Sequence, residues 1–341
     1  MSAGRSLLIK IGVAAGAGFA ALHFAKKRAT SSSELRGKVV LITGSRGLGL
    51  ALARELGNRG ARIALCARNE QELQRACESL LHQHIEAAPF PADVSNPAEI
   101  GLLVNRVLNQ FGRLDILVNN AGEITVGPFE SFTHSDFERA MNLMFWAAVN
   151  LTLEVFPHMK RQGGGSIVNI TSIGGRVSIP HLLPYSSAKF ALVGFSTGLS
   201  TELRSQNIRV LTVVPGLMRT GSHLHAMFKG QARHEFAWFG VLGNLPGFSV
   251  AAAYASRVIA NALQRQRYVC TISLPAKILT ACEAMLPETT RSILAGVNRL
   301  LLPETSRSKD VHDGSTLNAS FGKAFQAVTL LGRRAAESLN Q

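Results

Sequence analysis

The chain has 341 residues, of which 46% are hydrophobic and 17% are charged, so it can bury a full core and is not a disordered protein. A single segment approaches the length of an uncharged membrane span, which excludes a polytopic membrane protein. The net charge of +14 lies mostly in residues 1–38 and 257–341, which argues against a nucleic-acid-binding domain because such a domain concentrates basic charge on its folded body.

The four cysteines, Cys66, Cys77, Cys270 and Cys282, are scattered and form no CxxC pair or zinc-ligand spacing. In a chain of this length, that usage is typical of reduced thiols and not of a disulfide framework. We therefore expect the folded part to face a reducing compartment and to bind no metal.

The amino-terminal segment, residues 7–25, is apolar and is followed at once by Lys26, Lys27 and Arg28. Three interpretations remain open: a single transmembrane anchor, a peripheral or disordered leader, and a cleaved signal peptide. The basic residues after the segment outnumber those before it, so an anchor would place the rest of the chain on the cytoplasmic side.

From residue 36 onward, short β-branched apolar runs alternate with segments of helical periodicity. Lys38–Thr43 and Arg62–Cys66 are predicted strands, and Leu48–Arg59 between them is a predicted helix that stops at Gly60. The further predicted strands are 86–90, 114–118, 166–170, 208–214 and 268–273, and the further predicted helices are 70–82, 97–111, 135–161 and 185–204, with Pro157 as a kink or end. This alternation predicts an α/β fold with one doubly wound, Rossmann-like parallel sheet as a single domain over residues 36–275, preceded by segment 1–35 and followed by a helical extension over 276–341.

The first predicted strand ends in a glycine turn, Thr43-Gly44-Ser45-Arg46-Gly47-Leu48-Gly49, which opens a helix. Glycines in this context allow a backbone to approach a pyrophosphate at a helix N-terminus, so the turn favours nucleotide binding. The second strand ends without the carboxylate that would bind both ribose hydroxyls of NAD. Arg68, together with Arg46, could instead neutralise the 2′-phosphate of NADP, although both could also be plain surface arginines.

A second group of residues has the character of an acid/base site. Tyr185 and Lys189 are four residues apart and project from one helix face, where the ammonium should lower the pKa of the phenol. Ser172 follows a predicted strand and should lie at the same sheet edge. Asn142 is an amide in an apolar run, so we expect it to be buried and either to hold a kink or to belong to the site.

Over about residues 36–275, the sequence resembles the short-chain dehydrogenase/reductase family. The matching pieces are Thr43–Gly49, Asp93-Val94, Asn119-Asn120-Ala121-Gly122, Asn142, Ser172, Tyr185-x-x-x-Lys189, and Pro215-Gly216 with Thr220. The resemblance implies that Tyr185 donates a proton to a carbonyl, that Ser172 binds that carbonyl oxygen, that Lys189 binds the nicotinamide ribose and that Asn142 holds a relay water. It further implies that Asp93 and Val94 contact adenine, that Asn119, Ala121 and Gly122 floor the cleft, and that Pro215, Gly216 and Thr220 frame the nicotinamide.

The glycine turn departs from the family pattern, T-G-x-x-x-G-x-G, because only two residues separate Gly44 from Gly47. The pyrophosphate contacts should differ accordingly. The expected function is an NADP(H)-dependent oxidoreductase acting on a carbonyl or alcohol, and family members usually form homo-oligomers. A nucleotide-sensing or membrane-associated scaffold on the same fold would not need Tyr185, Lys189 and Ser172, and a serine hydrolase would need a G-x-S-x-G elbow around Ser172.

The segment His223–Phe248 follows the region that frames the nicotinamide and is rich in large apolar residues. These residues either form a pocket or lid for a hydrophobic substrate or simply pack on the core. The extension carries apolar helical stretches, which could contact a bilayer, a partner subunit or the parent domain. Within it, Asp310–Ser315 is expected to be a flexible linker.

Overall fold

The computed structural model describes residues 35–303 and 306–340, and the segment 7–25 with its open interpretations lies outside this part. The strands are β1 (Val39–Thr43), β2 (Arg62–Ala67), β3 (Ala87–Pro91), β4 (Ile116–Asn119), β5 (Thr125–Val126), β6 (Gly165–Ile170), β7 (Ile208–Pro215), β8 (Leu217–Arg219), β9 (Met227–Phe228), β10 (Ser249–Ala251), β11 (Val269–Ile272) and β12 (His312–Asp313). Seven of them form one sheet in the order β11-β7-β6-β4-β1-β2-β3, and every neighbouring pair is parallel.

The helices confirm the alternating pattern expected from the sequence. They are α1 (Gly47–Asn58), α2 (Glu70–Leu81), α3 (Pro97–Phe111), α4 (His134–Met141), α5 (Ala147–Arg161), α6 (Leu183–Glu202), α7 (Ala232–Asn244), α8 (Ala252–Gln264), α9 (Leu274–Met285), α10 (Pro287–Leu301), α11 (Gly314–Ala319), α12 (Lys323–Val328) and α13 (Leu330–Ser338). Local signals set several of these limits: Asn69 caps α2, Asn96 and Pro97 start α3, and Gly112 ends α3 in the left-handed conformation.

The sheet separates two hydrophobic layers. Helices α1, α2 and α8 pack on one face, and α3, α5 and α6 pack on the other. All five residues of β1 are buried because helices cover both faces, which explains its uninterrupted apolar sequence. The fold is therefore a single doubly wound α/β domain, whose ligand cleft is expected where the strand order reverses between β1 and β4.

Several elements differ from the sequence expectation. The single helix expected over 135–161 is α4 and α5 joined by a π-helical turn, Asn142–Trp146, and Pro157 lies inside α5, which continues to Arg161. The expectation of a flexible linker at Asp310–Ser315 is wrong, because His312–Asp313 pairs with β9, which in turn pairs with β5. These three short strands form a second sheet that brings the extension onto the domain. No helix within residues 35–303 and 306–340 combines the length and apolar character needed to cross a bilayer.

Candidate active site

A cleft of about 470 Å³ opens at the carboxyl ends of β1 to β4, where the strand order reverses. Parallel sheets place their ligands at this edge because the chain diverges there to opposite faces. Eight of the residues expected to bind cofactor line it: Gly44, Ser45, Arg46, Arg68, Asp93, Val94, Ala121 and Gly122. The cleft thus brings together these eight residues, whereas Asn119, Asn142, Ser172, Tyr185, Lys189, Pro215, Gly216 and Thr220 are not among the residues that line it.

The glycine turn is held by close backbone packing. Gly44 has a φ of +93°, and a Cβ at Gly49 would lie 2.0 Å from the Gly44 carbonyl oxygen and 2.8 Å from Asn120 Nδ2. No side chain can enter this space, so the two glycines allow the turn to fold back on itself and leave its outer surface open to a ligand. This shape fits a dinucleotide that approaches the backbone closely.

Thr43 and Asn120, which both belong to the motifs that resemble the family, fasten the turn to β4. The Thr43 hydroxyl accepts hydrogen bonds from the backbone N–H groups of Asn120 and Ala121, both at 3.0 Å. The Asn120 amide donates to the Thr43 carbonyl at 2.8 Å. The cleft floor therefore depends on Thr43 as much as on the glycines.

Asn119 lies beneath the cleft instead of at its surface. It is buried and donates to the Asn169 amide oxygen at 2.8 Å, and Asn169 donates to Ser196 at 3.0 Å. Ser196 in turn shares a 2.7 Å hydrogen bond with Thr212. This chain of buried polar groups joins β4, β6, α6 and β7, so Asn119 supports the floor through the sheet.

The two arginines that line the cleft, Arg46 and Arg68, differ in their partners. Arg46 lies 3.4 Å from a Glu72 carboxylate oxygen and 3.2 Å from His225 Nδ1. Burial, followed by the neighbouring Arg46 charge, lowers the pKa of His225, so the ring is a neutral acceptor for Arg46 at neutral pH. Arg68 is 62% exposed, and its ion pair with Asp93 is long, at 3.9 Å. The Arg68 side chain can therefore turn toward a bound anion.

The Tyr185, Ser172 and Lys189 side chains meet at the carboxyl edge of β6. The Tyr185 phenol is hydrogen-bonded to Ser172, and Ser172 also accepts from the backbone N–H of Gly174 at 3.0 Å. Lys189 Nζ lies 5.7 Å from the Tyr185 ring centroid and donates to the carbonyl of Ile170 at 2.9 Å. The three groups can thus present a hydroxyl pair above a buried cation.

Burial dominates the electrostatics of this group. It raises the pKa of Tyr185, with the Ser172 hydrogen bond opposing the rise, and it lowers the pKa of Lys189 to about 8. The sequence expectation is that Lys189 lowers the phenol's pKa, whereas the net shift of that pKa is upward, because desolvation disfavours the charged forms of both groups.

Other expected site residues lie around this centre. Asn142 begins the π-helical turn and is exposed, so the expectation that its amide is buried is wrong. Pro215 ends β7, the Gly216 N–H donates to the carbonyl of Ile272 at 3.1 Å, and the Thr220 hydroxyl accepts from Ser222 N–H at 3.3 Å. Gly47, Leu48 and Gly49 are buried at the start of α1, beside the cleft.

Further residues that sequence reasoning did not name as site residues also line the cleft, among them Glu72, Ser222, His225 and Asp313. Glu72 lies on α2, whereas Ser222 and His225 come from the segment 222–250, named here the lid, and Asp313 comes from the extension. Their residue types carry no motif, and only the folding of β12 against β9 brings Asp313 to the site. No spacing rule within the sequence could have identified them.

The family model for short chain dehydrogenases matches residues 38–227, more than half of the chain. The chain belongs to the short-chain dehydrogenase/reductase family. A fatty acyl-CoA reductase from Acinetobacter baylyi is 35% identical over 198 residues, which are 57% of this chain and 67% of that relative.

Solved structures agree on the fold of this family member. L-sorbose reductase from Gluconobacter frateurii, solved with NADPH and L-sorbose, is 27% identical with a TM-score of 0.64, over 71% of this chain and 97% of that one. A short-chain dehydrogenase/reductase from Burkholderia phymatum, solved with NAD, is 22% identical with a TM-score of 0.68, over 75% of this chain and 96% of that one. The protein is thus an oxidoreductase of this family, and relatives in it bind nicotinamide cofactors.

Proposed function

We propose that the protein is an NADP(H)-dependent oxidoreductase that reduces a carbonyl, or oxidises the corresponding alcohol, with Tyr185 as the general acid/base. The observation that carries the proposal is the position of the Tyr185 phenol beside Ser172 and the buried Lys189 ammonium, next to Gly122 in the wall of the cleft. A bound nicotinamide dinucleotide supplies the hydride that such a reduction needs.

Side chains of the protein bind the substrate's carbonyl oxygen and transfer the proton. The Ser172 and Tyr185 hydroxyls hold the substrate's carbonyl oxygen, and Tyr185 gives it a proton as negative charge develops there. Lys189 stabilises the phenolate that remains, because an ammonium nearby favours the charged form of the phenol. Asn142, which is exposed at the π-helical turn, holds in this proposal a water that returns the proton.

A Tyr185→Phe variant tests this assignment. We expect turnover to fall by about three orders of magnitude, because proton transfer from a positioned group contributes 10² to 10⁴ in rate. Dinucleotide binding, measured by fluorescence titration, should stay within about twofold of wild type, since the ring itself is retained. Unchanged turnover would reject Tyr185 as the acid, and cofactor binding without turnover in the wild type would favour the scaffold interpretation.

The preference for NADP rests on Arg46 and Arg68 and on the missing carboxylate at the end of β2. Arg46→Ala and Arg68→Ala should each lower the ratio of NADPH to NADH affinity by about tenfold, the effect of losing one charge-assisted contact to a phosphate. Arg75→Ala, on the exposed side of α2, is the matched control. Equal affinity of the wild type for NADPH and NADH would contradict the preference.

A second cavity, of about 420 Å³, supports a hydrophobic substrate. The Ser178–Leu183 segment, which leads into Tyr185, forms one wall, and Leu294 and Ala295 of α10 close it. The relative from Acinetobacter baylyi is named a fatty acyl-CoA reductase, and a fatty acyl group is a hydrophobic substrate. The large residues of the segment His223–Phe248 support it less, because Phe228, Phe236 and Phe239 are buried against one another. A panel of carbonyl compounds in which only small polar members react would reject this substrate class.

A further inference from the structure

The end of the described chain reaches the glycine turn. The carbonyl of Leu339 accepts a hydrogen bond from the backbone N–H of Gly47 at 2.9 Å, across nearly the whole length of the sequence. The Leu339 side chain is 6% exposed and packs against Ala51 of α1 and Ala252 of α8. The segment Leu330–Asn340, named here the C-terminal strap, is therefore seated on α1 and is not a loose tail.

Further contacts hold the strap on either side of this hydrogen bond. Arg54 of α1 donates to the carbonyl of Ser338 at 2.8 Å, and the Asn340 amide donates to the carbonyl of Glu72 on α2 at 2.7 Å. Ala336 lies so close to Gly221 that a Cβ there would be 2.5 Å away. The strap thus joins α1, α2 and the loop after β8, three segments that surround the cleft.

The glycine turn has a property that makes this contact relevant. It is one residue shorter than the family pattern, and Arg46, the residue that precedes α1, makes no side-chain hydrogen bond that would cap the helix. The first N–H groups of a helix need acceptors, and uncapped ends fray. The carbonyl of Leu339 provides an acceptor for Gly47 and so fixes the orientation of the first turn of α1.

We propose that the C-terminal strap is a positioning element of the dinucleotide site, and that the Leu339 carbonyl holds the shortened glycine turn in the shape that receives a pyrophosphate. This inference rests on the proposed function, since it presumes that the cleft binds a dinucleotide. It assigns to the extension a part in cofactor binding that the matched region, residues 38–227, does not contain.

The position of the strap argues against competition with the cofactor. Among the described residues that line the cleft, none comes from Leu330–Asn340. Leu339 packs on Ala51 and Ala252, within the layer formed by α1 and α8. The strap therefore supports the turn from outside the cleft and leaves the cleft itself open.

The test uses two variants. In the full chain, Leu339→Asp places a charge against Ala51 and Ala252. A second variant ends at Ser338 and so lacks the Leu339 carbonyl. Leu102→Asp is the matched control, because Leu102 lies in α3, outside the strap and the cleft lining, and is 66% exposed. Binding of NADPH, NADH and adenosine 2′-monophosphate is measured by titration, together with KM, kcat and the melting temperature.

We expect both strap variants to raise the NADPH dissociation constant and the KM for NADPH by about tenfold. The affinity for adenosine 2′-monophosphate, which has no pyrophosphate, should change less than about twofold, as should kcat at saturating NADPH. Leu102→Asp should leave every value unchanged. This split between the two ligands would not follow from a general loss of stability.

Three results would overturn the proposal. Tighter NADPH binding by the strap variants would show that the strap competes with the cofactor, and unchanged binding would show that it has no part in the site. An equal loss for NADPH and adenosine 2′-monophosphate would indicate general damage to the cleft. A wild-type chain that binds neither dinucleotide would overturn the proposed function, and this inference with it.

Discussion

Lys189 and Tyr185 show at the scale of single residues how burial sets chemistry. Lys189 is buried and Tyr185 is half-buried, so water stabilises the ammonium and a phenolate poorly. The two groups therefore begin from a state in which the proton rests on the phenol. That state is suited to an acid that must donate to a carbonyl oxygen.

The lowered pKa of Lys189 predicts a pH dependence of stability. In the folded protein this pKa is about 8, against 10.5 for an unburied lysine, so between these values the unfolded chain holds more protons. The free energy of unfolding should therefore rise from pH 8 to 10.5 as the cost of burying the ammonium disappears, by about 3 kcal/mol. Below pH 8 Lys189 is protonated in the folded protein, so the cost of burying its ammonium lowers the free energy of unfolding in full.

Urea denaturation of wild type and Lys189→Met over this pH range measures the effect, because the other titrations cancel in the difference. The wild type should gain stability relative to the variant as the pH rises. Lys160→Met, at an exposed position on α5, should show no such trend. A difference between wild type and Lys189→Met that stays constant from pH 8 to 10.5 would contradict the lowered pKa.

Among the secondary-structure elements, α4 and the lid segment before α7 are joined by a buried ion pair. Lys229 Nζ lies 2.6 Å from Asp136, and both side chains are almost fully enclosed. Asp136 also pairs with Arg139 and accepts from Thr133, and although burial opposes it, these partners lower its pKa to about 2. The pair connects the lid to the helix that leads into the π-helical turn.

Removing Lys229 should be costly because it leaves a buried carboxylate with fewer partners. We expect Lys229→Met to lower the free energy of unfolding by about 3 kcal/mol at pH 7. The contribution of Asp136 is fully present above pH 3.8 and is lost as the pH falls through about 2, so the variant should lose less stability than wild type over that interval.

Thermal melts at pH 7 measure the loss of stability in Lys229→Met. Acid titrations followed by circular dichroism measure how much stability each protein loses as the pH falls from 3.8 to about 2. Lys323→Met changes an exposed lysine in the same way and should melt like wild type. The double variant Asp136→Asn, Lys229→Met should recover part of the loss, since no buried charge remains unpaired. If Lys229→Met melted like wild type, the ion pair would not hold the lid.

On the scale of the whole molecule, the extension and the lid share one aromatic cluster. The ring centroid of Phe236 in α7 lies 5.4 Å from that of Phe321 and 5.5 Å from that of Phe325. It also lies 5.3 Å from the ring centroid of Phe228. The lid is therefore part of a hydrophobic cluster to which the extension contributes Leu317, Phe321 and Phe325. Its apolar residues stabilise the lid more than they line a pocket.

Phe325→Ala should therefore loosen lid and extension together. We expect a loss of about 2 kcal/mol, at the lower end of values for aromatic truncation because Phe325 is only partly buried. Cleavage by a protease within residues 222–250 should become faster. Phe248→Ala, at a side chain that is 53% exposed, is the control, and equal cleavage of both variants would refute a shared core.

The sequence by itself determined the sheet, the order of its helices and the family. Buried parallel strands need continuous β-branched runs, as in Val39–Thr43, and helices need apolar spacing with local caps, as at Asn69 and Asn96. Those signals lie within a few residues of the elements that they specify, so they can be read along the chain. The positions of Tyr185, Lys189 and Ser172 at one sheet edge follow from the same local pattern.

Only the tertiary structure decided what depends on distant segments. The pKa of Lys189 reflects desolvation by packing, which no spacing between Tyr185 and Lys189 can express. The cleft receives Asp313 because β12 pairs with β9, and the glycine turn is capped by Leu339, whose position in the chain carries no signal for that contact. Burial and long-range hydrogen bonds belong to the folded chain as a whole, so they can be established only from its three-dimensional arrangement.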